Sequence, residues 1–363
     1  MSPVHPSSGQ RFPMIDVLRG AAALLVLAYH VAAHRWAELP HKGLGHLVHN
    51  GWVGVDLFLV ISGFVIALAA LNAQAVTPDW RRGYAERRLR RIVPLYVATL
   101  ACTVWMVTPG LLQHGWATVI HLATHLGFVH NLWHETHGSI NPPNWSVGLE
   151  MQFYALMALA TPWIARSSAL RIYLLWAGIA LGWRLATTWW LPPGSSSPIL
   201  QFIYASQLPG ALDEFASGIV LAKWLKDSRL RPEPRLFWRA LAAAVLLSIL
   251  AWRLVPTETA YWQSPVAIVG ARTLLCAAFA AMVVCAITWP WAPGRASRPL
   301  RYLGEISYVI YLWHMPVLLT LVERTQLQGG RLLLWTMVGT ITLAALSWHG
   351  FERLWMQPGP RAR

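Results

Sequence analysis

The sequence predicts an all-α fold: a polytopic transmembrane helix bundle of about ten spanning helices, with the N- and C-termini cytoplasmic. Three observations carry the prediction. Of 363 residues, 56% are apolar and only 12% charged, and the mean hydropathy is +0.43. Apolar stretches recur along the whole chain at the length a bilayer core requires, ~20 residues rising ~1.5 Å each. Of the 22 tryptophans, many sit at the ends of these stretches. Trp36, Trp52, Trp145, Trp189, Trp190 and Trp262 fall at one set of ends, and Trp80, Trp224, Trp238, Trp291 and Trp355 at the other. Two aromatic belts would be laid out in this way.

The first span is read over 13–33 and holds Asp16, Arg19 and His30. It has no convincing cleavage site, so it reads as a span rather than a signal peptide. Arg19 and His30 are eleven residues apart, about three turns, so they share one helix face ~16 Å apart. An ionised side chain at a helix centre costs ~3 kcal/mol on insertion scales, which marks both as site candidates. Two plainer readings stay open: Arg19 snorkelling to headgroups, and His30 as a polar contact between helices.

The second span, 51–73, carries Asp56 near its outer end and then Ile61-Ser62-Gly63-Phe64, small residues that allow close helix approach. Six arginines between 81 and 91 precede the third span, 92–109. Arg88 and Arg91, three apart, share a face and suit phosphate, or serve only as topological anchors. The half-apolar segment 114–131 reads as an interfacial or re-entrant piece within a long loop. That loop holds His114, His121, His125, His130, His134 and His137. Spacings of four could suit zinc, but no cysteine or carboxylate cluster completes a site, so no metal is expected.

Pro142 and Pro143 end that loop, and the fourth span, 145–163, opens Asn144-Trp145-Ser146-Val147-Gly148-Leu149-Glu150. Asn144 or Ser146 can cap the helix and Glu150 can favour its dipole. The topology also places Glu150 in the outer half at the depth of His30, an acid/base pair. Spans follow over 172–191, 203–222, 240–255 and 265–289, with Arg184 and Arg272 inside two of them. The ninth, 303–322, carries Tyr308, Tyr311 and His314; the tenth, 332–352, closes at Glu352-Arg353.

Orientation follows from the basic residues. With the N-terminus inside, 21 of the 29 Lys and Arg lie in inside segments, 5 in outside segments and 3 within spans. This positive-inside bias also accounts for the net charge of +14 without nucleic acid. The three cysteines sit within apolar runs and suggest neither a disulfide framework nor a thiolate site. No internal repeat is evident. The expected organisation is a cytoplasmic tail over 1–12, one membrane domain over 13–355 and a cytoplasmic tail over 356–363.

Taken in order, these motifs resemble the membrane-bound acyltransferases known as acyltransferase family 3. The matching residues are Arg19 and His30 with ten between, Ile61-Ser62-Gly63-Phe64, Arg88-x-x-Arg91 before Ile92-Val93-Pro94, Trp145 to Glu150 before Gln152-Phe153-Tyr154, and Tyr308-x-x-Tyr311-Leu312-Trp313-His314. Nearly the whole chain is covered. Val147, Gly148 and Met151 depart conservatively from the family pattern. Many members carry a further C-terminal hydrolase-like domain, which this sequence, ending at residue 363, is expected to lack.

The resemblance implies an integral O-acyltransferase of the bacterial inner membrane, with no bound cofactor and acetyl-CoA, or another acyl-CoA, as co-substrate. The acceptor it implies is a hydroxyl of a polysaccharide, such as exopolysaccharide or lipopolysaccharide, or of its lipid-linked precursor. His30 would be catalytic, as a general base or through a transient acyl-His. Glu150 and Arg19 would orient or stabilise charge, and Arg88 and Arg91 would bind the donor. Asp16, Ser62, Ser146, Tyr311 and His314 are candidates to line the cavity. Membrane lipids, the glycan and acyl-CoA are the implied partners, and nucleic acid is not. Two alternatives remain: a succinyl donor or small-molecule acceptor, and a transporter using intramembrane charges as an ion path. The absence of repeat symmetry and the arginine pair favour the enzyme.

Overall fold

The computed structural model describes residues 12–194, 197–254 and 258–355. Apart from Phe12, the two expected tails lie outside the described residues. The fold is helical, with no β-strand among the described residues. In chain order the principal helices are α1 (Pro13–Arg35), α2 (Gly54–Val76), α3 (Trp80–Met106), α4 (Trp116–Leu126), α5 (Trp145–Arg166), α6 (Ala169–Trp190) and α7 (Pro198–Ala205). They continue with α8 (Leu212–Lys226), α9 (Pro234–Leu254), α10 (Glu258–Trp262), α11 (Arg272–Ile287), α12 (Arg298–Glu305), α13 (Ser307–Arg324) and α14 (Gly329–Ser347).

Each of the ten expected spans meets a helix, but the helices are less uniform than apolar runs suggest. Among the described residues, seven are long and apolar enough to cross a membrane, or eight if the bent pair before and after Ile306 is one span. That pair, α12 and α13, meets at 68°. The expected span 203–222 is broken: α7 stops at Ala205, and Pro209 ends the possibility of a continuous helix. The remainder, α8, has only 15 residues and is buried on nearly every side.

The arginine-rich stretch that precedes the expected third span forms the opening turns of α3, a 27-residue helix. Arg, Glu and Leu are good helix formers, and the helix continues through Pro94. Segment 114–131 forms α4, 11 residues long, flanked by single turns. At ~1.5 Å per residue it is too short to span.

Large apolar side chains such as Trp105, Leu159, Leu170, Trp189 and Leu246 stand exposed on the outside of the bundle. Inside, α8 packs closely on α2. A Cβ on Gly63 would collide with the Phe215 backbone, and one on Gly218 with the Val60 carbonyl, so small residues set this crossing. Polar contacts define two ends. At the basic end Lys226 Nζ donates to Asn72 Oδ1 (2.7 Å) and Arg81 Nε to the Ala158 carbonyl (2.8 Å). Pro162 has no N–H to occupy that carbonyl, so the arginine takes its place. At the opposite end Arg35 Nη1 donates to the Thr325 carbonyl (2.8 Å) and Gln207 Nε2 to the Leu132 carbonyl (3.1 Å).

Candidate functional site

Two cavities enter the bundle and share a wall made of Val55 and Tyr311. The first, narrow at about 80 Å³, is cationic: Arg19 of α1 and Arg88 and Arg91 of α3 line it, with Glu150 of α5 opposite. Because α3 begins well before its apolar part, Arg88 and Arg91 sit on a rigid helix face rather than a loop. Arg88 lies 5.8 Å from the Tyr84 ring centroid and 5.6 Å from that of Tyr154, contacts that hold a guanidinium without neutralising it. Among the described residues neither Arg88 nor Arg91 forms an ion pair. Glu150 accepts from Ser62 Oγ (2.9 Å) and Tyr154 OH (2.7 Å) at one oxygen. Three guanidiniums against one carboxylate leave the cavity with an excess of positive charge and open donors, suited to an anion such as phosphate.

The second cavity, about 440 Å³, lies toward the opposite end and is different in character. Trp52, Trp145, Phe202 and Trp262 give it aromatic walls, while His30, Asp56 and Glu258 supply polar edges. Tyr29 OH donates to Glu258 Oε2 at 2.5 Å. Burial pushes the Glu258 carboxyl up from the usual carboxylate range, against the lowering effect of that hydrogen bond. His137, also lining this cavity, is pushed down to about 4 by burial and is neutral at ordinary pH. Aromatic faces with a few convergent acceptors are what a polyhydroxylated ligand needs.

His30 Nδ1 lies 2.9 Å from the Val26 carbonyl and 3.3 Å from His314 Nε2. Tyr311, on the dividing wall, shares a hydrogen bond with Ser146 Oγ (2.7 Å) and reaches the Pro143 carbonyl (2.9 Å). Ser146 is thereby tied to the wall itself.

Behind the second cavity lies a buried ionic network. Arg272 pairs with Asp56 (3.0 Å) and Glu214 (2.5 Å), and Arg184 pairs with Asp213 (2.5 Å). Thr273 Oγ1 donates to Asp213 (2.9 Å) and accepts from Arg184 Nη2 (3.0 Å). Asp56, expected near the outer end of its span, lies in the first turn of α2, with its side chain 3% exposed and held by Arg272. Among the described residues, Asp213, Glu214 and Cys276 are the group whose ligand atoms converge closely enough for a metal, but Arg184 and Arg272 occupy the two carboxylates. Among the described residues the loop histidines do not form such a group; His125 and His130 stack face to face at 4.0 Å.

Of the residues singled out in sequence, the cationic cavity gathers Arg19, Ser62, Arg88, Arg91, Ser146, Glu150 and Tyr311. His30 lines the second cavity with Tyr311, and His314 is buried behind it. Glu150 does not share a cavity with His30, contrary to the expected pair. Ser146 marks the level of the wall, and Glu150 lies about one turn, ~6 Å, further along α5, which carries it into the cationic side. Asp16 is separate again, in a shallow hollow with Arg298 and Arg301. Glu258 was missed: it lies on the five-residue α10, with no periodicity to mark which way it faces.

Comparison with known proteins adds a family. A family model described as an acyltransferase domain matches residues 12–349. The chain is 28% identical to the peptidoglycan O-acetyltransferase OatA of Listeria monocytogenes, over 94% of this chain and 55% of that protein. It is 28% identical to the acyltransferase MdmB of Streptomyces mycarofaciens, over 85% of this chain and 79% of that one. A third relative is the exopolysaccharide production protein ExoZ of Rhizobium meliloti, 28% identical over 74% of this chain and 77% of the relative. The chain spans about half the length of the first curated relatives it matches. No solved structure matches.

Proposed function

Since the chain belongs to acyltransferase family 3, its domain spanning residues 12–349, we propose that it is a multi-pass O-acetyltransferase of a bacterial inner membrane. Its donor is acetyl-CoA, bound from the cytoplasm at the cationic cavity. Its acceptor is a hydroxyl of a glycan, polymer or lipid-linked precursor, held in the aromatic cavity. The observation that carries this reading is the pair of unlike cavities meeting at Val55 and Tyr311. The orientation rests on the excess of Lys and Arg at one end.

The narrow cationic cavity has room for the thioester end of a donor but not for its nucleotide, which stays at the mouth. Arg88 and Arg91 meet its phosphates there through charge-assisted hydrogen bonds. Arg19 and Glu150 order the charge deeper in. On the other side, His30 takes the proton from the acceptor hydroxyl as its oxygen attacks the thioester carbonyl. The C–O bond forms, the C–S bond breaks, and the proton passes to the departing thiolate. Glycan acceptors named for the relatives, peptidoglycan and exopolysaccharide, fit a cavity of this size with aromatic walls.

The test uses purified protein in lipid vesicles, radiolabelled acetyl-CoA, and two acceptors, de-O-acetylated peptidoglycan and exopolysaccharide. Label should enter one of them as alkali-labile ester, and His30→Ala should abolish the transfer while the protein still inserts. Near wild-type transfer by His30→Ala would overturn the assignment. Uptake of CoA without acyl transfer would favour the transporter reading.

A further inference from the structure

We propose that His314 is a positioning residue for His30, fixing its tautomer and ring orientation so that Nε2 is the bare nitrogen presented to the acceptor. The inference rests on the reading of His30 as the base.

The geometry leaves little freedom. A carbonyl oxygen only accepts, so the 2.9 Å contact between His30 Nδ1 and the Val26 carbonyl requires the proton on Nδ1. In a neutral imidazole Nε2 is then bare. The same logic applies to His314, whose Nδ1 lies 2.7 Å from the Tyr311 carbonyl. Its own Nε2 therefore carries a lone pair, and that atom faces His30 Nδ1 at 3.3 Å. The single Nδ1 proton of His30 is shared between Val26 and His314. The backbone contact lies on the same helix four residues away; the second acceptor, from α13, ties the ring to a neighbouring helix and adds to the preference for the proton on Nδ1.

His314 is itself held by construction. Pro316 supplies no N–H to the Leu312 carbonyl, and Asn141 Nδ2 donates to it instead (3.0 Å). Trp313 Nε1 donates to Ser347 Oγ on α14 (2.9 Å). His314 is 1% exposed, so water does not compete for its Nε2. When His30 accepts the hydroxyl proton, the imidazolium keeps both acceptors for its Nδ1–H. The arrangement performs the orienting part of a catalytic triad, with a neutral imidazole in the carboxylate's place. Tyr29 and His34 also lie beside the ring and Tyr311 lines the same cavity, and among the described residues none of their side chains is hydrogen-bonded to His30 Nδ1.

Three variants test this. His314→Leu removes the acceptor, His314→Gln places an amide oxygen within reach, and His30→Ala tests the underlying reading. Nitrogen-15 spectra of histidine-labelled protein in lipid nanodiscs read the His30 tautomer directly, assigned by difference against His30→Gln. Wild type and His314→Gln should show a single tautomer with bare Nε2, and His314→Leu a mixture. With radiolabelled acetyl-CoA and de-O-acetylated peptidoglycan, His314→Leu should lower kcat by roughly tenfold to a hundredfold at unchanged acetyl-CoA KM, and His314→Gln should recover most of it. An unchanged His30 tautomer in His314→Leu, or an unchanged kcat beside an inactive His30→Ala, overturns the inference alone. An active His30→Ala overturns the reading it rests on.

Discussion

Replacing Arg184 with Leu withdraws the guanidinium that faces Asp213, and the consequence is calculable from the burial of the pair. Both side chains are 0% exposed, so Asp213 keeps only the Thr273 hydroxyl and the Glu214 N–H as donors. Removing one partner of a buried pair costs about 3–5 kcal/mol, because the other charge remains out of water. The second replacement, Asp213→Leu, removes that stranded charge. Arg184 Nε and Nη1 lack acceptors among the described residues, so the native pair is imperfectly compensated and the double variant should sit near wild type. Unfolding of the four proteins of this cycle in detergent, followed by intrinsic fluorescence, should give a coupling about as large as the two single losses together, about 6–10 kcal/mol, because the double variant escapes both. The aromatic cavity should deform in the single variant, since Arg272 and Asp56 line it from the same network. Wild-type stability of Arg184→Leu, or additive effects in the cycle, would refute the claim that the network is paired and dry.

Arg88→Gln and Arg91→Gln should each raise the acetyl-CoA KM about tenfold with kcat little changed, as a lost charge-assisted hydrogen bond predicts; an unchanged KM with misinsertion would make them anchors. Glu150→Gln keeps an oxygen for Ser62 and Tyr154, so the melting temperature should hardly move. If Glu150 orders charge for the reaction, kcat should fall by ~100-fold; a rate within a few-fold of wild type would leave it a structural acceptor. Burial pushes His125 down to about 4 and His130 to about 3. Below pH ~6.5 the unfolded chain therefore binds protons the folded loop refuses, and stability should fall by ~1.4 kcal/mol per pH unit for each. Melting curves between pH 7 and pH 5 check this, with His130→Phe lowering the slope by one histidine's share.

Much of this was legible in the chain because apolar length and basic-residue bias are long-range averages that tolerate local error. Arg19 and Glu150 were recognisable as candidates since a charge in an apolar run must find a polar cavity, and Arg88 and Arg91 by their spacing three apart on one face. What each one faces was harder to read. Glu150 sits one turn past the dividing wall, a displacement smaller than the uncertainty of a span boundary. The partner of Asp56 was not legible because Arg272 lies 216 residues further on, and no local pattern joins them. The break at Pro209 and the bend at Ile306 interrupt apolar runs that hydropathy reads as continuous. Glu258, on a single helical turn, offered no period at all.

The wall formed by Val55 and Tyr311 also has an electrical meaning. Where two cavities approach from opposite sides, most of the transmembrane voltage falls across whatever separates them. An inside-negative potential drives anions outward with about 2.3 kcal/mol per charge for each 100 mV, so a passage wide enough for the donor would expel it. An acetyl group carries no charge and feels no such force. On the proposed reading, a partition at Val55 and Tyr311, pinned at Ser146 and Pro143 by the Tyr311 hydroxyl, would let a neutral group change compartments while the donor's phosphates stay on the side of Arg88 and Arg91.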